Sequence, residues 1–293
     1  MKKEIKGVFA PITTPFVNEE VSIEQLRENV RKYSETSLAG FYVLGSNGEA
    51  KSLTEEEKLK VLEAVMEEKA SHQLVMAGAG YESTRQSIAF AKVAESMGVD
   101  FVTLLTPSYF KKRMTDDVIV KYFEDVADAV SVPVIAYNAP GFTGITISPG
   151  VISRISDHGN IVGMKDSSPG NIGKYLAARK EGFAVLAGSA SILLTGMVLG
   201  ASGGVLSLGN AFPHKCCELY DLYQKGDMAG AVKTHYELFR LNQAVSGSFG
   251  VAGVKYAMDA AGYHGGAPRL PLLPIGDAGK KSIEAAIKVA GLQ

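Results

Sequence analysis

Lys165 is the residue with the most chemistry to offer. It directly follows the apolar run Ile161-Val162-Gly163-Met164. An apolar wall disfavours an ammonium, which leaves a free amine for Schiff-base formation with a carbonyl. The plain alternative is a strand-end lysine that pairs with Asp166 or reaches solvent. Tyr137 closes the preceding run, Val132–Tyr137. A phenol there can pass protons to and from a carbinolamine or a leaving hydroxyl, or it can cap the core as a half-buried aromatic. Gly45-Ser46-Asn47-Gly48-Glu49 offers backbone amides and two short polar side chains in a glycine-flanked turn. Such a nest suits a carboxylate, and the same residues read equally well as a tight turn into the next helix. Gly188–Ser189 and Gly203–Gly204 are placed to cradle a phosphate, yet no lysine or arginine lies between Phe183 and Pro213 to help. An uncharged or carboxylate-only ligand fits better. Carboxylates and histidines do not recur at metal-ligand spacing. His72, His158, His214, His235 and His264 fall on helix or loop segments and read as surface or structural.

These residues need strands to end where they stand, and the chain supplies eight candidate strands. They are Gly7–Ile12, Gly40–Leu44, Gln73–Ala77, Phe101–Leu105, Val132–Tyr137, Ile161–Lys165, Phe183–Ala187 and Gly203–Leu208. Several lack polar alternation, as strands covered on both faces do. Amphipathic helical segments lie between them, with legible starts. Thr54 with Glu57, and Ser83 with Gln86, have the capping-box spacing, and Ser148 precedes a proline at the first helical position. Alternation of this kind predicts an α/β fold, a (β/α)8 TIM barrel with a C-terminal helical extension, ahead of a doubly wound open sheet. In such a barrel the active site gathers at the C-terminal ends of the strands. Beyond His214 the strand-like runs stop, and Cys217–Gln224, Met228–Val245 and Ser282–Gly291 read as helices. The expected division is a barrel over residues 1–224 and a helical domain over 225–293, packed on the barrel or on a neighbouring subunit.

Composition narrows the function classes. The 293 residues are 46% hydrophobic, enough for a substantial core and incompatible with disorder. Thirty Lys and Arg against 31 Asp and Glu give a formal net charge of −1, so no basic field exists for nucleic acid. The two cysteines, Cys216 and Cys217, are neighbours and cannot build a disulfide framework. The opening basic residues and short apolar run carry Pro11 and Pro15 and lack a signal-peptide cleavage pattern. Glycines and serines interrupt the uncharged stretch from Phe183, which reads as strand, helix, strand rather than a membrane span. A cytoplasmic enzyme without membrane or nucleic-acid partners is the expectation.

Together these motifs resemble the dihydrodipicolinate synthase / N-acetylneuraminate lyase family of pyruvate-dependent class I aldolases. The resemblance runs nearly the full chain through GVFAPITTPF, GSNGEAKSLTEEEK, TPSYFKK, YNAPGFTG, GMKDSS, LAGSAS, GGVLSLGN and the late PRLPLLP. It implies a barrel with C-terminal helices, assembled as a homotetramer of two tight dimers, and a covalent imine on Lys165 with no metal or organic cofactor. Lys165 would bind the C2 carbonyl of pyruvate or a longer 2-oxo acid. Tyr137 would shuttle protons and orient the substrate carboxylate. Ser46 would hold the relay hydroxyl, Asn47 would add its amide to the carboxylate pocket, and Tyr109 would complete the relay across the tight dimer interface. Gly188 and Leu206 would line the pyruvate pocket, with Ser167 and Phe142 also counted among the substrate-contacting positions.

Departures from the family pattern bear on the second substrate. Dihydrodipicolinate synthases usually have Thr-Thr at Ser46-Asn47, and an arginine that grips the aldehyde's carboxylate at Phe142. A phenylalanine cannot form that bidentate pair. The GSNGE turn, the GMKDS run and the FGVAGVKYAMDAAGYHGG stretch look most like 4-hydroxy-2-oxoglutarate aldolase, so cleavage of that acid or a related 2-oxo-3-deoxy acid is the leading expectation. N-acetylneuraminate lyases typically follow the lysine with Phe-Thr rather than Asp166-Ser167, which ranks that activity lower. Condensation of pyruvate with aspartate semialdehyde is the alternative, and a non-catalytic 2-oxo-acid sensor the further one.

Overall fold

The structure, a computed structural model, describes residues 3–292. All eight expected runs form strands: β1 (Gly7–Pro11), β2 (Gly40–Val43), β3 (Leu74–Gly78), β4 (Phe101–Leu105), β5 (Val134–Asn138), β6 (Ile161–Asp166), β7 (Ala184–Ala187) and β8 (Gly203–Val205). They follow one another in chain order around a closed barrel, and each recorded pairing within it is parallel. The (β/α)8 architecture with C-terminal helices is therefore the fold of this chain. Its strands are buried along nearly their whole length, β1 and β5 at every residue, which is why their sequences do not alternate.

Two edges differ from the sequence expectation. The eighth strand stops at Val205, because Ser207–Asn210 winds into a 3-10 turn. There the Asn210 side chain donates to Pro11 O at 3.0 Å and accepts from Thr13 N at 3.3 Å. A short hairpin, Phe16–Val17 with Glu20–Val21, leaves no strand signal in the sequence because it is only two residues per arm. Its central residues Asn18 and Glu19 both take positive φ, 51° and 68°, as two-residue hairpin turns require.

The chain divides into two compact units. One holds the residues up to Lys6, Leu74–Gly188 and Thr195–Gly204; the other holds Gly7–Gln73, Ser189–Leu194 and Val205 onward. In the first, Ser83 accepts from Gln86 N and Ser148 from Val151 N, both at 3.2 Å. In the second, helix α1 (Ile23–Ser34) precedes helix α2 (Glu55–Glu68), and Thr54 and Glu57 close both arms of the predicted capping box. The second unit also contains the C-terminal helices. Helix α3 (Met228–Asn242) passes through one π-turn, Gln243–Gly247, into α4 (Ser248–Ala260), and α5 spans Asp277–Val289. The sequence predicts one helix to Val245 and none over α4; the α-helical part ends at Asn242 and the π-turn carries the chain on into α4. Gly250 kinks that helix with φ 55° and ψ −140°, and glycines inside a helix weaken its signal. Burial of Val254, Ala257 and Met258 holds it in place. Among the described residues no helix is long and apolar enough to cross a membrane.

The capping carboxylate of Glu57 does a second job. Arg269 grips it with two hydrogen bonds, Nη1 to Oε2 at 2.8 Å and Nη2 to Oε1 at 2.6 Å, and donates from Nη1 to Ser52 O at 2.8 Å. The guanidinium, helped by the Thr54 amide, holds the Glu57 carboxyl down at about 2. A depressed carboxyl stabilises the fold above its unfolded pKa of ~4.3, and that contribution is lost as pH falls toward 2. Thermal melts of Glu57→Gln are expected roughly 1–2 °C below the parent at pH 7, the shift about 1 kcal/mol produces over the 293 residues of this chain at ~2.1 cal/mol/K per residue. The gap should close between about pH 4 and pH 2; a gap that persists to the acid end would contradict this account of the pair.

Candidate active site

The first unit presents a pair of rungs between β5 and β6. Tyr137 is in register with Lys165, and Asn138 with Asp166. Side chains alternate along a strand, so one rung faces the barrel interior and the next faces its helical cover. Lys165 Nζ stands 4.2 Å from the centre of the Tyr137 ring, with only 4% and 3% of the two residues exposed. On the opposite face Asn138 Nδ2 donates to Asp166 Oδ1 at 2.8 Å and approaches the Tyr175 hydroxyl at 3.0 Å. Ser168 adds donors to the same Oδ1 from its backbone N at 2.9 Å and its hydroxyl at 2.6 Å. Tyr175 donates onward to Ile147 O at 2.7 Å, and Ile147 N donates to Asn138 Oδ1 at 3.0 Å. Burial raises the Asp166 carboxyl from its usual range and pushes the Tyr175 phenol up to about 12. The alternative pairing of Lys165 with Asp166 thus meets an obstacle in strand geometry, since consecutive side chains leave opposite faces.

The ends of these strands are tied to their neighbours. Ser167 N donates to Asn138 O at 2.9 Å, and Gly188 N to Asp166 O at 2.7 Å. A Cβ at Gly188 would stand 2.1 Å from Ser167 Oγ and 2.6 Å from Asp166 O, so only glycine lets β7 pass this close to the end of β6. Tyr109 and Phe142 lie elsewhere on the unit, both on its exterior, 80% and 70% exposed. The Tyr109 ring meets Phe110 edge-on at 5.0 Å, while the amides of Ser108 and Tyr109 both donate to Glu82 Oε2 at 2.9 Å. Phe142 sits in the short turn Pro140–Thr143. Beside that turn Lys111 Nζ comes near Gly144, 3.6 Å from where a Cβ would stand.

The second unit holds the turn after β2. Leu44 and Glu49 bracket it with positive φ, 60° and 51°, a conformation uncommon for residues with side chains and a cost that surrounding contacts must offset. Those contacts are present. Thr14 Oγ1 donates to Gly48 O at 2.7 Å, Asn47 Nδ2 donates to Ser207 Oγ at 3.0 Å, and Glu49 N donates to Ser46 O at 3.2 Å. A Cβ at Gly48 would press to 2.9 Å from Ile12 O. Leu206 is fully buried, its amide donating to Phe9 O at 2.9 Å. The sequence reading missed the partners of this turn: Thr14, Ser207 and the buried Lys255 beneath Glu49. A lone lysine inside the apolar run FGVAGVKYAM was the available signal. Among the described residues no three His, Cys, Asp or Glu side chains group as a metal site would.

Comparison with known proteins places these features in a family. Residues 4–290 match the sequence profile of the dihydrodipicolinate synthetase family. The 4-hydroxy-tetrahydrodipicolinate synthase of Geobacter metallireducens is 33% identical over 285 residues, covering 97% of this chain and 98% of its own. That of Methanocaldococcus jannaschii is 31% identical over 288 residues, covering 98% and 99%. The crystal structure of dihydrodipicolinate synthase from Thermotoga maritima superposes with a TM-score of 0.93 at 27% identity, covering 98% of this chain and 99% of that one. This chain belongs to the dihydrodipicolinate synthetase family of class I lyases.

Proposed function

We propose that this enzyme forms an imine between Lys165 and the C2 carbonyl of pyruvate, with Tyr137 moving the protons. The observation that carries the reading is the buried Tyr137–Lys165 rung, an amine 4.2 Å over a phenol ring at the end of two paired strands. The Lys165 amine attacks C2 to give a carbinolamine. The Tyr137 hydroxyl protonates the departing oxygen, water leaves, and a protonated imine conjugated with the carboxylate remains. That imine draws electrons from C3, so C3 loses a proton and becomes an enamine. The enamine carbon adds to an aldehyde; run backwards, cleavage of the C3–C4 bond returns aldehyde and enamine, and hydrolysis frees pyruvate and the amine. The electron sink is the imine itself, and the sequence of steps calls on no metal or organic cofactor.

Under this reading the resemblance assigns the remaining positions. Ser46 supplies the relay hydroxyl, Asn47 binds the substrate carboxylate, Gly188 and Leu206 line the pyruvate pocket, and Ser167 and Phe142 contact substrate. Tyr109 serves the relay of a second copy in a cytoplasmic homotetramer, and its exposed ring suits a residue awaiting a partner. Residues 1–224 act as the catalytic barrel and 225–293 as its helical extension.

For the second substrate, the relatives named 4-hydroxy-tetrahydrodipicolinate synthase favour condensation of pyruvate with aspartate semialdehyde over the expected cleavage of 4-hydroxy-2-oxoglutarate. That reading replaces the sequence-derived preference. Lys111, whose ammonium approaches Gly144 beside the Phe142 turn, offers a positive charge near the position where the synthases' arginine is absent. One observation keeps hydroxy-oxoglutarate cleavage in the test: a point-charge lysine does not reproduce a bidentate arginine grip.

Incubation with pyruvate and borohydride should place one pyruvate-derived adduct on Lys165, located by peptide mass spectrometry, and Lys165→Ala should take no label. An unlabelled wild type, or label elsewhere, would refute the mechanism; pyruvate-dependent thermal stabilisation with no turnover of any aldehyde would favour the sensor. Assays of both second substrates should give the higher kcat/KM with aspartate semialdehyde, and Lys111→Ala should raise the KM for it roughly tenfold, the scale of one lost charged contact. A higher kcat/KM for 4-hydroxy-2-oxoglutarate would reverse the ranking.

A further inference from the structure

A buried carboxylate and a buried ammonium lie directly behind the candidate carboxylate-binding turn, and the mechanism uses neither. The side chains of Glu49 and Lys255 are 2% and 0% exposed, and Glu49 Oε1 lies 2.6 Å from Lys255 Nζ. The contact is a close ion pair between two buried groups. Nζ also donates to Ala267 O at 3.0 Å and sits 4.3 Å from the centre of the Phe16 ring. Glu49 Oε2 accepts from Arg269 N at 2.9 Å, and the Arg269 guanidinium lies 4.5 Å from the same Phe16 ring. Helix α4 through Lys255 and the following segment through Arg269 therefore converge on one carboxylate, three residues beyond Ser46.

An ion pair this dry is poor evidence for stability alone, because desolvation offsets much of its attraction, whereas fixing one arrangement among several is its best-attested use. Burial pushes the Lys255 ammonium down from its ordinary pKa, and Glu49 opposes that fall. The backbone of Glu49 is in the left-handed region, and the same residue receives Arg269 N and donates its own amide to Ser46 O. Moving the carboxylate would release the turn from its strained conformation, and Ser46 and Asn47 would move with it.

We propose that Glu49 and Lys255 are a positioning pair through which the C-terminal helices set the geometry of the Ser46-Asn47 turn and so the affinity for the substrate carboxylate. The proposal rests on the functional reading above, in which that turn binds the carboxylate of pyruvate. A merely structural pair would change stability and leave the balance of kinetic constants alone; a positioning pair acts on binding.

The test is the double variant E49Q/K255M, which removes both charges together and leaves neither ion buried alone, compared with E49D and the wild type. For E49Q/K255M the KM for pyruvate should rise roughly tenfold or more while kcat stays within about threefold, the signature of binding lost equally from ground and transition states. Borohydride trapping at saturating pyruvate should match the wild type. Folded E49Q/K255M with an unchanged KM overturns the proposal. Should the double variant fail to fold, E49D decides, since drawing the carboxylate back by one methylene should raise KM at near-constant kcat, and an unchanged KM overturns the proposal there too. A wild type that traps no pyruvate refutes the functional reading instead, so the two failures are distinguishable.

Discussion

Two adjacent rungs between β5 and β6 are the constraint on which the site depends. Parallel pairing puts Tyr137 beside Lys165 and Asn138 beside Asp166, and the alternation of side chains sends the two rungs to opposite faces. The first rung brings a buried amine over a phenol ring. The supporting rung is hydrogen-bonded on the far face, through Asn138, Asp166, Ser168, Tyr175 and Ile147. A one-residue slip between these strands would exchange the faces and destroy both arrangements together. The polar network behind the barrel wall thereby fixes the register that the proposed chemistry in front requires, at the cost of burying a carboxylate whose pKa is raised by desolvation.

The turn after β2 answers the same need by another route. It carries two non-glycine residues with positive φ, and a loop held that way persists only when its surroundings over-determine it. Thr14, Ser207, Lys255 and Arg269 supply the determination from four separate stretches of chain. This gives the C-terminal helices a part in holding the turn beyond covering the core, and it accounts for Arg269 in the PRLP motif, which serves the Glu57 cap and the Glu49 carboxylate in one residue.

Much of this was legible in the sequence, for identifiable reasons. Short apolar runs bounded by glycines and polar turns marked every strand of the barrel, because strands buried on both faces leave a dense apolar signature. Local caps at Thr54, Ser83 and Ser148 were readable because capping depends on residues within four positions of one another. Helix α4 was hidden by Gly250 and Gly253 and is held by tertiary burial rather than by propensity. The partners of Glu49 and of Asn47 were out of reach, since Lys255 and Ser207 lie some two hundred and 160 residues away along the chain. Asn138 and Asp166 were within reach: each follows a chosen residue, and alternation alone sends both to the far face. The ranking of second substrates goes the other way from the relatives: the GSNGE, GMKDS and FGVAGVKYAMDAAGYHGG stretches favour the aldolase and Phe142 speaks against the synthase, while the charge that Lys111 brings to the Phe142 turn is a tertiary feature.

The proposed imine chemistry depends on the phenol of Tyr137 serving the amine of Lys165. The most direct measurement is the rate of imine formation, followed by quenching pyruvate-treated enzyme with borohydride at successive times, in the wild type and in Tyr137→Phe. The folded variant is expected to reach full labelling of Lys165 but roughly 100-fold or more slowly, the contribution of a general acid in place. Equal rates in the two proteins would contradict it.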